Sequence, residues 1–214
     1  ASVTYIGSGA FGNSAYDGVV VDPKNTSYIT EDGVLYNKDK TELIHYPRNR
    51  ENTSLEVPAG VRGIAAYVFY NCDNLQTVTF AEDSQLYRID DHAFYDCDAL
   101  INMVIPESVT TIGNNAFLYC DALSNVTLPS GITHVEDNAF ASCPSLTTIT
   151  IPYGVTTIEI CAFGYCGNLK NIELPEGLES IGDRAFDYCA GLTEVKFPKS
   201  LKYIRGFSNC TGLT

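Results

Sequence analysis

The sequence predicts a solenoid, a rod of short coils stacked on one another, and three regularities predict it. Phe94, Phe117, Phe140, Phe163 and Phe186 recur at one fixed interval, each preceded by Ala (Ala93, Ala116, Ala139, Ala162 and Ala185). Cys follows each of them three positions later and Leu six later. Apolar pairs two apart then close each unit, as in Met103/Ile105, Val126/Leu128, Ile149/Ile151 and Ile172/Leu174. Self-similarity at about 20–29 residues marks coils that cannot bury an apolar face alone and therefore stack.

Each element of the coil follows from its residues. Apolar positions two apart, with Thr, Asn, Lys, Glu or Val between, suit a strand buried on one face only. Stacked coils pair these strands into one long parallel sheet. Pro106, Pro129, Pro152, Pro175 and Pro198 follow directly, and a residue without an N–H ends a ladder. Pro152-Tyr-Gly154 and Pro175-Glu-Gly177 suit a type I turn with Pro second and Gly fourth. A second apolar pair (Val109/Ile112, Ile132/Val135, Val155/Ile158, Leu178/Ile181, Leu201/Ile204) predicts a short strand opposite the first. Ala-Phe-x-x-Cys then predicts one 3₁₀-like turn, too short to stand without packing.

The pattern also runs towards the N-terminus. Val61/Ile64, Val68-Phe69, Cys72, Leu75 and Val78/Phe80 form a coil whose Phe stands further from the next than the fixed interval, because Ala81–Gln85 enlarges the corner. Val3/Ile6, Ala10-Phe11 and Val19/Val21 read as part of another. Gly33–Asn37 and Glu42–Tyr46 around the polar Lys38–Thr41 predict a β-hairpin. The expected organisation is one repeat domain over 1–214: a partial repeat at 1–23, a hairpin insertion at 24–54, and tandem repeats at 55–214 with the last incomplete.

Composition narrows the function. Thirteen basic against 26 acidic residues leave a net charge of −13, which phosphate backbones and anionic lipids repel, so nucleic acid is not an expected partner. No apolar run reaches the roughly 18–20 residues of a bilayer span, so no direct membrane insertion is expected. Ala1–Ile6 has neither a basic start nor an apolar stretch, unlike a signal peptide.

Seven of the eight cysteines (Cys72, Cys97, Cys120, Cys143, Cys166, Cys189 and Cys210) share one repeat position. Stacking puts them in an inward column with strand spacing, about 5 Å, where an odd number of equivalent thiols cannot all pair. A reduced, packed ladder is the preferred reading, with incidental bridges or a metal site as alternatives. Cys161 is off this register and stands where sister coils carry Asn, His or Arg.

The A-F-x-x-C-x-x-L-x-x-I-x-L-P pattern and the module Asp32–Pro47 resemble the BspA-like (Treponema-type) leucine-rich repeats. The resemblance implies a leucine-rich-repeat solenoid with a parallel β-sheet on one face, short strands and 3₁₀ turns on the other, and a β-hairpin insertion. It further implies a bacterial cell-surface or secreted, extracellular protein that binds host proteins or other cells. It brings no catalytic residues and no cofactor. The chain departs from the pattern where Ile204–Phe207 is two positions short, and it begins mid-pattern. A fragment of something longer, or an end packed on another chain, is therefore expected.

Chemistry finds little to build on. His45, His92 and His134 occupy unrelated repeat positions, and no nucleophile elbow, zinc-protease, phosphate-loop or dinucleotide motif occurs. Asp90-Asp91 and Glu136-Asp137 share one corner, where weak calcium binding is the minor alternative to a solvated face. Tyr70, Tyr95, Tyr119, Tyr165 and Tyr188 flank the Phe-to-Cys turns, more as shields of a thin core than as contacts. The candidate site is the outward face of the sheet. One column there reads Thr77, Asn102, Asn125, Thr148, Asn171, Glu194, and the next Thr79, Val104, Thr127, Thr150, Glu173, Lys196. The expected function is non-enzymatic protein–protein interaction or adhesion through this face, with a protein partner. A passive spacer and a carbohydrate-binding module are the alternatives, the latter lowered by the absence of Trp.

Overall fold

Residues 3–12 and 18–214 are described by the computed structural model of the protein. Residues 1–2 and 13–17 of the expected partial repeat lie outside the described residues. No helix occurs among the described residues; the elements are strands joined by turns. The chain opens with an antiparallel meander of β1 (Tyr28–Glu31), β2 (Val34–Asn37) and β3 (Glu42–His45). It then alternates between two faces: β4 (Ser54–Val57), β5 (Gly63–Ile64), β6 (Thr77–Phe80), β7 (Arg88–Ile89), β8 (Asn102–Val104), β9 (Thr111–Ile112), β10 (Asn125–Thr127), β11 (His134–Val135), β12 (Thr148–Thr150), β13 (Thr157–Ile158), β14 (Asn171–Glu173), β15 (Ser180–Ile181), β16 (Glu194–Val195) and β17 (Tyr203–Ile204).

The even-numbered strands from β4 to β16 form one seven-stranded parallel front sheet. The odd-numbered strands, joined by β2, form the back, divided into a six-stranded sheet running from β1 to β9 and a four-stranded sheet from β11 to β17. The expected hairpin is present but is not set apart from the rod. Its strand β3 pairs in parallel with β5, so the meander starts the back sheet. Strand β1 was not foreseen. Asp32 and Gly33, both with positive φ (47° and 76°), make the two-residue primed turn that Asp-Gly favours between β1 and β2.

Inside, the phenylalanines stand in one file. Rings of Phe69, Phe94, Phe117, Phe140, Phe163, Phe186 and Phe207 are stacked in succession at 4.6–5.6 Å with interplanar angles of 5–15°. The short last coil therefore still presents a ring to the file. The cysteines form a second file, and all eight are free. Inward thiols donate to the Phe carbonyl of an earlier coil: Cys120 to Phe94 at 3.1 Å, Cys143 to Phe117 at 3.2 Å, Cys166 to Phe140 at 3.1 Å and Cys189 to Phe163 at 3.1 Å. Cys suits the site because it is small and apolar yet keeps a weak donor.

Two local expectations are corrected. The Ala-Phe-x-x-Cys segment is not 3₁₀ helix but a series of turns with left-handed residues on alternate sides of the Phe, such as His92 (φ 58°) and Asp96 (φ 58°). A 3₁₀ run needs negative φ throughout. Alternate N–H groups point instead to the next coil: Phe94 donates to Ala116 at 2.8 Å, Phe117 to Ala139 at 2.8 Å and Phe163 to Ala185 at 2.8 Å. The turns thus carry a third inter-coil ladder, which satisfies backbone that would otherwise be orphaned. At the proline corner, Val155 N–H donates to Pro152 at 3.0 Å and Leu178 N–H to Pro175 at 3.0 Å. Pro is therefore first in that turn, not second, and Gly third. A Cβ on Gly154 would sit 3.3 Å from the Ile132 carbonyl, so this glycine permits close approach of the preceding coil.

Candidate functional site

Strand alternation alone sets the outward face. In β8, β10, β12 and β14 the middle residue is buried and its neighbours are exposed. Parallel pairing without slip then lines up the exposed residues. Thr77, Asn102, Asn125, Thr148, Asn171 and Glu194 are direct partners from strand to strand. The second column pairs Val104 with Thr127, Thr150 with Glu173, and Glu56 with Thr79. Lys196 lies just past β16 and is exposed. The structure thus brings together every residue expected on this face.

It also adds two that sequence reasoning missed. Ser54 and Glu56 head the two columns through β4. The signal was available, since Leu55/Val57 precede Pro58 as in the later coils. The face is sparsely cross-linked. Asn125 Nδ2 donates to Asn102 Oδ1 at 3.1 Å, and Lys196 stands 3.6 Å from Glu194 with both side chains mostly in solvent. Such a pair adds little stability. The side chains are held in place by backbone register and remain available for contact.

At the N-terminal end the enlarged corner borders this face, with an open groove of about 550 Å³ between Thr77–Glu82, Ser84, Asn102, Val104 and Pro106–Ser108. A smaller cavity of about 240 Å³ lies between residues 6–12 and the back sheet, bordered by Glu42, His45, Tyr67 and Asp90.

The histidines and acidic corners elsewhere occupy separate structural settings. His45 is buried against Phe11, with ring centroids 4.8 Å apart, and burial pushes its pKa down to about 4. His92 stacks on Tyr67 at 4.6 Å, and burial lowers its pKa against the pull of Asp91. His134 is exposed beside the Thr133 hydroxyl. The three belong to different coils and do not converge. The acidic corners cap backbone. Asp91 Oδ1 accepts the Asn114 N–H at 2.8 Å and Asp137 Oδ1 the Ile160 N–H at 3.0 Å. Arg88 Nη2 lies 2.7 Å from the Glu42 carboxylate and Nη1 lies 2.9 Å from Asp90. A Cβ on Gly63 would fall 2.6 Å from that carboxylate, so glycine makes room for the bridge.

The tyrosines separate into two columns. Tyr70 and Tyr95 are stacked at 4.9 Å, as are Tyr165 and Tyr188 at 4.8 Å. Tyr119, Tyr165 and Tyr188 all take left-handed φ, near 60°, and are about half exposed. They form an edge of the rod rather than part of the front face.

Comparison with known proteins agrees with this architecture. The chain matches the BspA type Leucine rich repeat region in six copies, over residues 45–166 and 87–214. It is similar to the crystal structure of a leucine-rich repeat protein from Eubacterium ventriosum, with 30% identity and a TM-score of 0.85 over 97% of this chain and 55% of that one. A leucine rich cell surface protein from Faecalibacterium prausnitzii shows 30% identity and a TM-score of 0.61 over 97% of this chain and 46% of that one. The chain thus spans about half the length of these two proteins. A Treponema pallidum leucine rich repeat protein, 24% identical over 80% of this chain and 90% of its own with a TM-score of 0.63, shares the fold. No functionally curated protein matches the sequence. The repeat pattern, the stacked coils and the match along most of the chain make this protein a member of the BspA-type leucine-rich-repeat family.

Proposed function

We propose that this chain is a non-enzymatic protein-interaction or adhesion module of a bacterial cell-surface or secreted protein, engaging a protein partner through its front sheet. One observation carries the reading: exposed Thr, Asn and Glu side chains stand in unbroken register across the strands, on a face built by backbone and left open. Repeat solenoids use extended surfaces of this kind for binding. Histidines that do not converge, and aspartates spent on capping backbone, support a role without catalysis. The F. prausnitzii relative, described as a cell surface protein, supports the location.

Binding of the purified chain to immobilised extracellular-matrix and epithelial surface proteins tests the proposal. A Thr127→Arg/Thr150→Arg double variant is expected to weaken capture at least about tenfold, with melting unchanged. Thr157→Arg on the back sheet is expected to leave capture intact. Equal loss from both, or no capture across a broad panel, overturns the reading. The passive-spacer alternative predicts that second outcome.

A further inference from the structure

Within the strands of the front face the exposed positions are polar except at Val104, which lies beside the place where the repeat loses its period. Phe69 and Phe94 stand further apart in sequence than the phenylalanines of the following coils because Ala81–Gln85 lengthens the corner. Ala81, Glu82 and Ser84 of the longer corner border the open groove of about 550 Å³ beside β6 and β8. Its floor and wall are apolar: Val104, which is 66% exposed, together with Phe80, Ala81 and Pro106. In the same column as Val104 the neighbouring strands carry Thr79, Thr127 and Thr150, so the apolar side chain is local to the groove.

The rim is acidic. Glu82 and Glu107 both line the groove, and among the described residues no lysine or arginine does. Glu107 is held as a carboxylate by the Ser130 N–H at 3.0 Å and the Ser130 hydroxyl at 2.7 Å. The corner is braced, since the Ser108 hydroxyl donates to the Ser84 carbonyl at 3.2 Å. The groove is therefore preformed, which lowers the ordering cost of binding.

We propose that this groove is the anchor point of the front face, receiving a bulky aliphatic side chain from a partner-protein segment that carries lysine or arginine beside it. The apolar floor takes the aliphatic group, as buried anchors do at interface centres. The rim carboxylates take the flanking cations, and the net charge of −13 favours approach of a basic segment. The inference rests on the interaction reading above and deepens it by naming a position and a partner chemistry.

Three blocked nonapeptides test it by NMR with the whole chain, reading the methyl signals of Val104 and Thr79. One has Leu-Lys-Leu-Lys at its centre, one replaces both leucines by serine, and one replaces both lysines by glutamate. The first is expected to shift both methyls saturably, and the other two at least about fivefold more weakly. Val104→Thr restores the residue of the sister strands and so keeps the fold. It is expected to weaken the first peptide about five- to tenfold, and Glu82→Gln about threefold. Equal shifts from all three peptides, no saturable shift at millimolar peptide, or insensitivity to Val104→Thr overturns the groove assignment. If that happens while Thr127→Arg/Thr150→Arg still weakens capture of surface proteins at least about tenfold, the groove fails and the interaction reading stands. Loss of both removes the two together.

Discussion

Six successive coils each hold two non-glycine residues in left-handed backbone, and the first of the two shows how the strain is offset. Tyr67, His92, Asn115, Asn138, Cys161 and Arg184 share the position, with φ from 53° to 64°. Their N–H groups reach the neighbouring coil, as Cys161 does to Asp183 at 2.9 Å and Asn138 to Ile160 at 2.9 Å. The position thus selects for backbone tolerance rather than chemistry, and Asn tolerates it better than Cys. Cys161→Asn is expected to raise stability by about 0.5 kcal/mol, read as a higher Tm. Cys161 is also the one cysteine that is not buried. A thiol reagent should therefore modify about one equivalent quickly in native protein, and that fast phase should vanish in the variant.

His45 gives a second residue-scale prediction. Its folded pKa of about 4 lies below the ordinary 6.5 because burial disfavours the cation. The unfolded chain therefore binds a proton that the folded chain refuses. Stability is lost as pH falls from about 6.5 towards 4, on the order of 3 kcal/mol, and changes little from this group below that. Urea titrations at pH 7 and pH 4.5 should show the difference, and His45→Gln should flatten it.

At the scale of the coil, the file of rings makes each unit depend on the next. Phe140 lies 5.2 Å from Phe117 and 5.6 Å from Phe163. Phe140→Ala is expected to cost about 3–5 kcal/mol. Hydrogen exchange should speed in both adjoining coils as well as its own, because stability in a stack is shared between nearest neighbours. The coil was legible because its period is written in Ala, Phe, Cys and Leu. What could not be read was where hydrogen bonds go between coils. Ala-Phe-x-x-Cys looks like a helical turn when taken alone, yet partners in the next coil, such as Ala116 for the Phe94 N–H, replace the helical bonds. The Pro-x-Gly corner misled for a related reason: its glycine answers to a carbonyl of the preceding coil, not to its own φ.

For the whole molecule, the front face was readable because burial on one side fixes register. Its two columns follow from counting by two from Leu or Val. The groove was not readable. Ala81–Gln85 showed only an enlarged corner, and nothing in those residues says that the extra length borders a groove with Val104 and Pro106. Strand β1 was hidden for another reason: Tyr28–Glu31 pairs with β2 in a grammar that occurs once, so no repetition announced it.

The thiol-to-carbonyl bonds have an evolutionary corollary. From Cys120 to Cys189 each of them reaches back by the same offset, so excising one entire unit rejoins matching surfaces. Removing 125–147, one full period, links Ser124 to Thr148 and seats Phe117 against Phe163. The shortened protein should still melt cooperatively, and small-angle scattering should find it shorter by about 4.8 Å. An excision that stops one position early leaves one extra residue ahead of β12, a local change that the turn must absorb, and that product should melt at a lower temperature than the full-period deletion.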